Sequence, residues 1–226
     1  IFLYESLGIN VLCLPVSLMS QSKLFNKFAL SVILMPGRFT AFYNSAIKQK
    51  RDKENLKPEQ TLRLLKANYA NNHFELPFWL VNQSGNRYSL YVIKMKNQVI
   101  VSTSKKQLGT ISISGDTSKQ LTDILLANHY QMRPKAVTLT LFARLCLADL
   151  FVHGIGAKNY EYITDFLIRN MYRISNLQYA VSTATKTFPD CAKIGKKTEN
   201  HRKLFFGLFP KETIVDFCKN NGVINE

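Results

Sequence analysis

The residues best placed to do chemistry stand in one short stretch, His153-Gly154-Ile155-Gly156, between the strand-like run Leu150-Phe151-Val152-His153 and a helical pattern that carries Tyr160. Two glycines at such a junction let the backbone approach a ligand closely. The free N–H groups of a helix start, backed by the helix dipole, favour an anion such as phosphate. Lys158 falls in the first helical turn, where a cation opposes the dipole and is better explained by a bound anion. The bland alternative is a tight βα turn with Lys158 in solvent. The spacing departs from the dinucleotide fingerprint: Asn159 stands where its third glycine would be, and no acidic residue follows about twenty positions on. His153 is suited to acid–base work because an imidazole titrates near neutrality, although a histidine at a strand end often serves only as a hydrogen-bonded residue. Arg133, just before Pro134, has the reach and charge to hold a phosphate, or is a surface arginine. The expected site is therefore His153 as the catalytic group, with Arg133, Gly154, Gly156, Lys158 and Tyr160 around a small anionic or phosphorylated ligand, a nucleotide among them, and no metal.

Other chemistry-bearing residues read more plainly. Glu161, Asp165 and Arg169 are spaced four apart, the pattern of a solvated helix face with an ion pair. Cys191 lies in a polar loop near cations that would lower its pKa, but an exposed idle thiol fits as well. The four histidines, at 73, 129, 153 and 201, show no metal-ligand spacing, and neither a P-loop nor a G-x-S-x-G elbow is present. The lysine-rich clusters at 48–57, 94–106 and 193–203 lack the aromatic-interleaved motif of an RNA-recognition sheet and read as solvated faces.

The elements that must position these residues follow from periodicity. Asn10–Leu14 reads as a buried strand. Apolar positions from Leu24 to Ile33 and from Phe39 to Ile47 recur at helical spacing, broken by Pro36-Gly37. Pro58 opens a further predicted helix through Tyr69. Residues 74–114 then alternate as short β-rich runs with turn chemistry at Ser84-Gly85-Asn86, predicting an antiparallel meander. Asp116, Thr117 or Ser118 caps a helix carrying Leu121 and Leu125. After Pro134 both strand and helix patterns fit, and length favours the helix. A strand over Leu177–Ala180 and a last helix from Pro210 complete the pattern. The fold class expected is α/β, a Rossmann-like, mainly parallel sheet flanked by helices, with the meander as an insertion. Residues 1–190 would form the core and residues 191–226 a basic helical extension.

Composition bounds the rest. The chain has 226 residues, 46% hydrophobic and 20% charged, and a net charge of +15 from 30 basic and 15 acidic side chains. That is globular composition, and its excess charge concentrates anions near the surface, so weak non-specific nucleic-acid binding is expected. The apolar run at 28–35 is too short for a bilayer, and the longer one at 136–152 carries Arg144 and Asp149, as a protein core does. No membrane association is expected. Four dispersed cysteines without a C-x-x-C pair point to a reducing, cytoplasmic compartment. The chain opens on Ile1, and Ile1–Leu7 reads as the tail of a helix stopped by Gly8, so further residues upstream are expected.

The block Arg133-Pro134-Lys135-Ala136, Thr138-Leu139-Thr140-Leu141, Ala143-Arg144-Leu145, Asp149-Leu150-Phe151, His153-Gly154-Ile155-Gly156, Tyr160 and Thr164-Asp165 resembles a family of uncharacterised bacterial proteins. Pro15-Val16-Ser17, Tyr43-Asn44 and Glu75-Leu76-Pro77-Phe78-Trp79 extend the resemblance, which departs where relatives have a further glycine and this chain has Ala157. More remotely, the order of aromatic hairpin, Arg133-Pro134, apolar run, Gly154, Gly156 and Tyr160 looks like that of the bacillithiol biosynthesis cysteine-adding enzyme. That likeness implies a Rossmann-like, nucleotidyltransferase-related core and ligase- or transferase-like chemistry on a small metabolite, with further motifs upstream. The function expected is thus that of a fragment of an α/β enzyme binding a nucleotide or phosphorylated ligand. The rivals are a non-catalytic basic module that binds nucleic acid and a structural remnant without a ligand.

Overall fold

In a computed structural model, the chain divides at 183/184 into two units, and the structure describes residues 14–175 and 177–183, all in the first. The strand expected at Asn10–Leu14, apart from its last residue, Cys191 and the helical extension expected at 191–226 lie outside the described residues.

Six α-helices and eight strands are found among the described residues. A single turn, Val16–Met19 (α1), leads to Lys23–Ile33 (α2), whose Ser22 accepts from the Phe25 N–H as an N-cap. Pro36 at the first helical position starts Pro36–Glu54 (α3), and Asn55, in the left-handed conformation, ends it. Proline at N1 and asparagine at the C-terminal end are the residues those positions favour. Pro58 opens only a short 3₁₀ turn, Pro58–Gln60, not the predicted helix to Tyr69. Beyond it the chain runs extended: Asn44 on α3 accepts from the Leu65 N–H and donates to the Leu65 carbonyl, tying the segment down before a helix can form.

Six strands then form the main sheet: Ala67–Asn68 (β1), His73–Asn82 (β2), Arg87–Lys94 (β3), Gln98–Ser102 (β4), Gln107–Ser112 (β5) and Tyr130–Pro134 (β6). Strands β1 to β5 pair in sequence order, β6 returns to the free side of β2, and every pairing is antiparallel. The expected Rossmann-like, mainly parallel sheet is therefore wrong. Residues 73–112 are no insertion but the sheet itself. The physical reason is connection length: the loops at 83–86, 95–97 and 103–106 can only reverse the chain, whereas a parallel pair needs a crossover of a dozen residues or more. The longer connection through residues 113–129 brings β6 back beside β2, again antiparallel, and only the last part of the described chain uses a crossover to pair strands in parallel. Leu150–Gly154 (β7) and Gln178–Ser182 (β8) pair parallel, joined through Lys158–Leu167 (α6) and a π-helical turn, Ile168–Tyr172.

Helix Thr117–Ala127 (α4) is capped by Asp116, which accepts from the Ser118 and Lys119 N–H groups. Ala136–Cys146 (α5) is the helix that length favoured. The helices pack on the sheet face that carries Phe74, Leu76, Phe78 and Leu80 of β2, Leu90 and Val92 of β3, and Val99 and Val101 of β4, all essentially without exposure. At the centre the rings of Phe25, Phe28, Phe78 and Phe142 meet with centroids 5.2–6.4 Å apart. No helix among the described residues is long and apolar enough to cross a membrane.

Candidate functional site

The β7–α6–β8 unit holds the chemistry. Strand alternation sends Phe151 and His153 to one side of β7 and leaves Leu150 and Val152 exposed on the other. On that side the His153 ring stacks on Tyr179 of β8, centroids 5.4 Å apart and 15° from parallel. One helical turn into α6, Glu161 turns inward, so that its Oε1 stands 3.3 Å from His153 Nε2. Arg144, on the last turns of α5, completes the group. Its Nη1 donates to Glu161 Oε2 at 2.5 Å, and its Nη2 to Asp165 Oδ1 at 2.8 Å and to the Leu177 carbonyl at 2.6 Å. The guanidinium lies 4.8 Å from the Tyr179 ring centroid. The side chains of Arg144, Glu161 and His153 are 1%, 0% and 7% exposed, so these charges meet in a water-poor interior.

Three buried polar atoms of this cluster have no hydrogen-bond partner: Arg144 Nε, His153 Nε2 and Glu161 Oε1. His153 Nε2 and Glu161 Oε1 are within ion-pair distance but form no hydrogen bond. His153 Nδ1 lies 3.0 Å from the Gly154 carbonyl. A carbonyl can only accept, so a hydrogen bond there requires the proton on Nδ1. Nε2 then faces Glu161 either protonated, beside a carboxylate, or bare, beside a carboxylic acid. Charge counting agrees. Two carboxylates and one guanidinium leave the cluster negative by one unless a proton sits on His153 or Glu161. Burial pushes the Glu161 carboxyl above its ordinary range, with Arg144 and His153 pulling against it. The arrangement can hold one mobile proton on a His–Glu pair and release it across a few ångströms, the property acid–base sites share.

The chain matches no family model, no curated protein and no solved structure.

What the geometry does with the sequence-predicted residues is uneven. His153 joins the cluster, and Gly154 and Gly156 follow it at the carboxyl edge of β7. Lys158 opens α6, but the side chains of residues 157–159 lie outside the described ones. Tyr160 points elsewhere, lining a cavity of about 160 Å³ with Ile47, Lys50 and residues 59–62. Arg133 is on β6 of the main sheet, opposite Trp79, where it donates to the Gln131 side chain. No contact between Arg133 or Tyr160 and the His153 cluster is seen. Neither glycine has a positive φ, and a Cβ built at either would meet no atom within 4 Å. The fold itself thus demands glycine at neither place.

The solvated stripe predicted for Glu161, Asp165 and Arg169 is wrong for its first two members. Glu161 is buried and Asp165 half-buried, both on Arg144. One signal was legible: an arginine inside the otherwise apolar helix 136–146 must be paired if it is buried. The partner, seventeen positions on, was not. Among the described residues no three His, Cys, Asp or Glu side chains come together as a metal site. Cys146 is a free, half-buried thiol whose pKa burial raises.

A second buried carboxylate behaves oppositely. Burial alone would raise Glu75, but a hydrogen bond from Arg63 at 2.5 Å and the Lys135 ammonium at 3.3 Å hold it below its ordinary range. The signs follow from linkage. Glu75, with its folded pKa lowered, contributes stability above the ordinary carboxylate range and loses it as pH falls through the lowered value. Glu161, with its folded pKa raised, contributes stability below the ordinary range and loses it as pH rises through the raised value. Urea unfolding across pH is expected to show Glu161→Gln flattening the neutral-side decline and Glu75→Gln flattening the acid-side loss. Parallel curves for wild type and both variants would contradict the assignment.

Proposed function

We propose that the carboxyl edge of the β7–α6–β8 unit binds a small anionic ligand, a nucleotide or other phosphorylated metabolite, and that His153 and Glu161 move a proton beside it. The observation that carries this reading is the buried His153–Glu161–Arg144 group next to Gly154, in which His153 Nε2 and Glu161 Oε1 face each other at 3.3 Å and, like Arg144 Nε, make no hydrogen bond. Folding alone does not favour leaving such atoms unpaired, each costing about 1–3 kcal/mol. Ligands of α/β units sit outside the carboxyl ends of parallel strands, and this turn is such a place. The open surroundings of Gly154 and Gly156 support it further, since no internal packing explains them.

In this reading the turn's N–H groups and Lys158 hold the anion. His153 is a proton carrier clamped by Tyr179 and Glu161, and Arg144 orients Glu161. A ligase- or transferase-like step on a small metabolite, which the family resemblance implies, would draw on that proton in a reducing, cytoplasmic setting. Arg133 and Tyr160 do not belong to this site.

Calorimetric titration of the full chain with ATP, and separately with inorganic phosphate, tests the proposal. Because no atom among the described residues lies within 4 Å of where the Gly156 Cβ would go, Gly156→Val is expected to leave the melting temperature unchanged and to abolish binding. Lys158→Ala is expected to weaken binding by about 1–2 kcal/mol, the size of one charge-assisted contact. Equal affinity of wild type and both variants for either probe, or no binding of either by wild type, would overturn it.

A further inference from the structure

The main sheet has a second face on which no described helix packs. Side chains alternate along a strand, so the residues between the core positions of β2, β3 and β6 point away from the helices. They are Glu75 and Trp79, Ser89 and Tyr91, and Arg133, with Lys135 following β6. Contacts across this face confirm the parity. Lys135 Nζ lies 4.0 Å from the Trp79 ring centroid and donates to Ser89 Oγ at 3.0 Å, and the rings of His73 and Tyr91 are 5.5 Å apart. Trp79, Tyr91 and Arg133 are partly exposed, and Arg87, at the start of β3, is exposed.

The charge of this sheet is one-sided. On this face Arg87, Arg133 and Lys135 stand against a single acidic residue, Glu75, which Arg63 also meets from the flanking segment. Glu75 is itself buried and already occupied by Arg63 and Lys135. The face therefore presents net positive charge around flat, partly exposed aromatic rings. That pairing of features fits a polyanion whose units also carry π faces. Bases of a single strand stack on aromatic side chains while Arg and Lys track the phosphates. Tyr91 and Trp79 stand on neighbouring strands, offset by two residues or about 7 Å along the sheet, within the step between successive nucleotides of an extended strand. A duplex, whose bases are stacked inside it, offers no such faces.

We propose that this open face of the main sheet is a binding surface for single-stranded nucleic acid, separate from the turn after His153. Trp79 and Tyr91 take the bases, and Arg87 and Arg133 take the phosphates. Contacts of this kind are indifferent to sequence and sensitive to salt.

Trp79 is the only tryptophan of the chain, so base stacking on it has its own optical signal. The full chain is titrated with oligo(dT) and, in parallel, with polyglutamate, following tryptophan fluorescence and the anisotropy of labelled oligomer. Quenching by oligo(dT) but not by polyglutamate is expected, with log affinity falling linearly against log salt. Tyr91→Ala is expected to weaken binding about tenfold. Arg87→Ala is expected to reduce the salt slope by about one, and since Arg87 is exposed that variant keeps the fold even if Tyr91→Ala does not. Three results would overturn the proposal. Oligo(dT) that binds without quenching Trp79 places the contact elsewhere on this basic chain. Equal quenching by polyglutamate makes the face a docking surface for acidic polypeptide. Unchanged slope and affinity in Arg87→Ala remove the phosphate contact.

Discussion

Arg144→Leu is expected to cost about 3–5 kcal/mol of folding stability, because it strips the counter-charge from Glu161 while leaving the carboxylate buried. The surroundings make the loss hard to relieve. Glu161 is without exposure, His153 is the only other basic side chain within ion-pair distance of it among the described residues, and the Leu177 carbonyl loses the donor that ties the start of β8 to α5. Urea unfolding measures it. The double variant Arg144→Leu with Glu161→Gln separates charge from shape: it leaves no buried carboxylate at 161 and is expected to recover more than about 1 kcal/mol. A single-variant loss below about 1 kcal/mol would mean that water reaches the cluster in solution. A double variant as unstable as the single one would mean that Arg144 acts by packing alone.

The other large effect is expected at Phe142. Its ring has no exposure and meets Phe25 edge-on at 5.2 Å and Phe28 at 5.3 Å, where α5 crosses α2. Phe142→Ala leaves a cavity that the two neighbouring rings cannot close, with an expected cost of about 3–5 kcal/mol. Phe142→Leu keeps most of the volume and is expected to cost about 1–2 kcal/mol. The ratio is the informative part. Equal losses would show that the core around α2 and α5 rearranges to fill the gap.

Both predictions concern α5, and α5 shows how unevenly the sequence speaks. Its existence was legible from Pro134, the spacing of Leu139, Phe142 and Cys146, and the length of the run. Its buried arginine was visible as an oddity in that run. Likewise the alternation of Tyr88, Leu90 and Val92, the Ser84-Gly85-Asn86 turn and the Asp116 cap each act within a few residues, so the local pattern was enough to predict them. The strand before Gly154 and the helix after it belong to the same class.

Tertiary structure decided everything that depends on a distant partner. The sheet is antiparallel because its loops are short, yet its completion by β6 joins Phe78 to Pro134 across fifty-six positions, and no local period announces that. The expected parallel sheet fails here, because among the described strands only β7 and β8 pair in parallel. Glu161 and Asp165 make the same point for the site. A carboxylate on a helix looks the same in sequence whether water or a buried guanidinium solvates it, and only the fold brings Arg144 to them. Sequence fixes which residues prefer helix, strand or turn, because those preferences are set by neighbours along the chain. It does not fix which charges are buried, because the cost of burying one depends on what stands opposite, and that is a property of the folded chain.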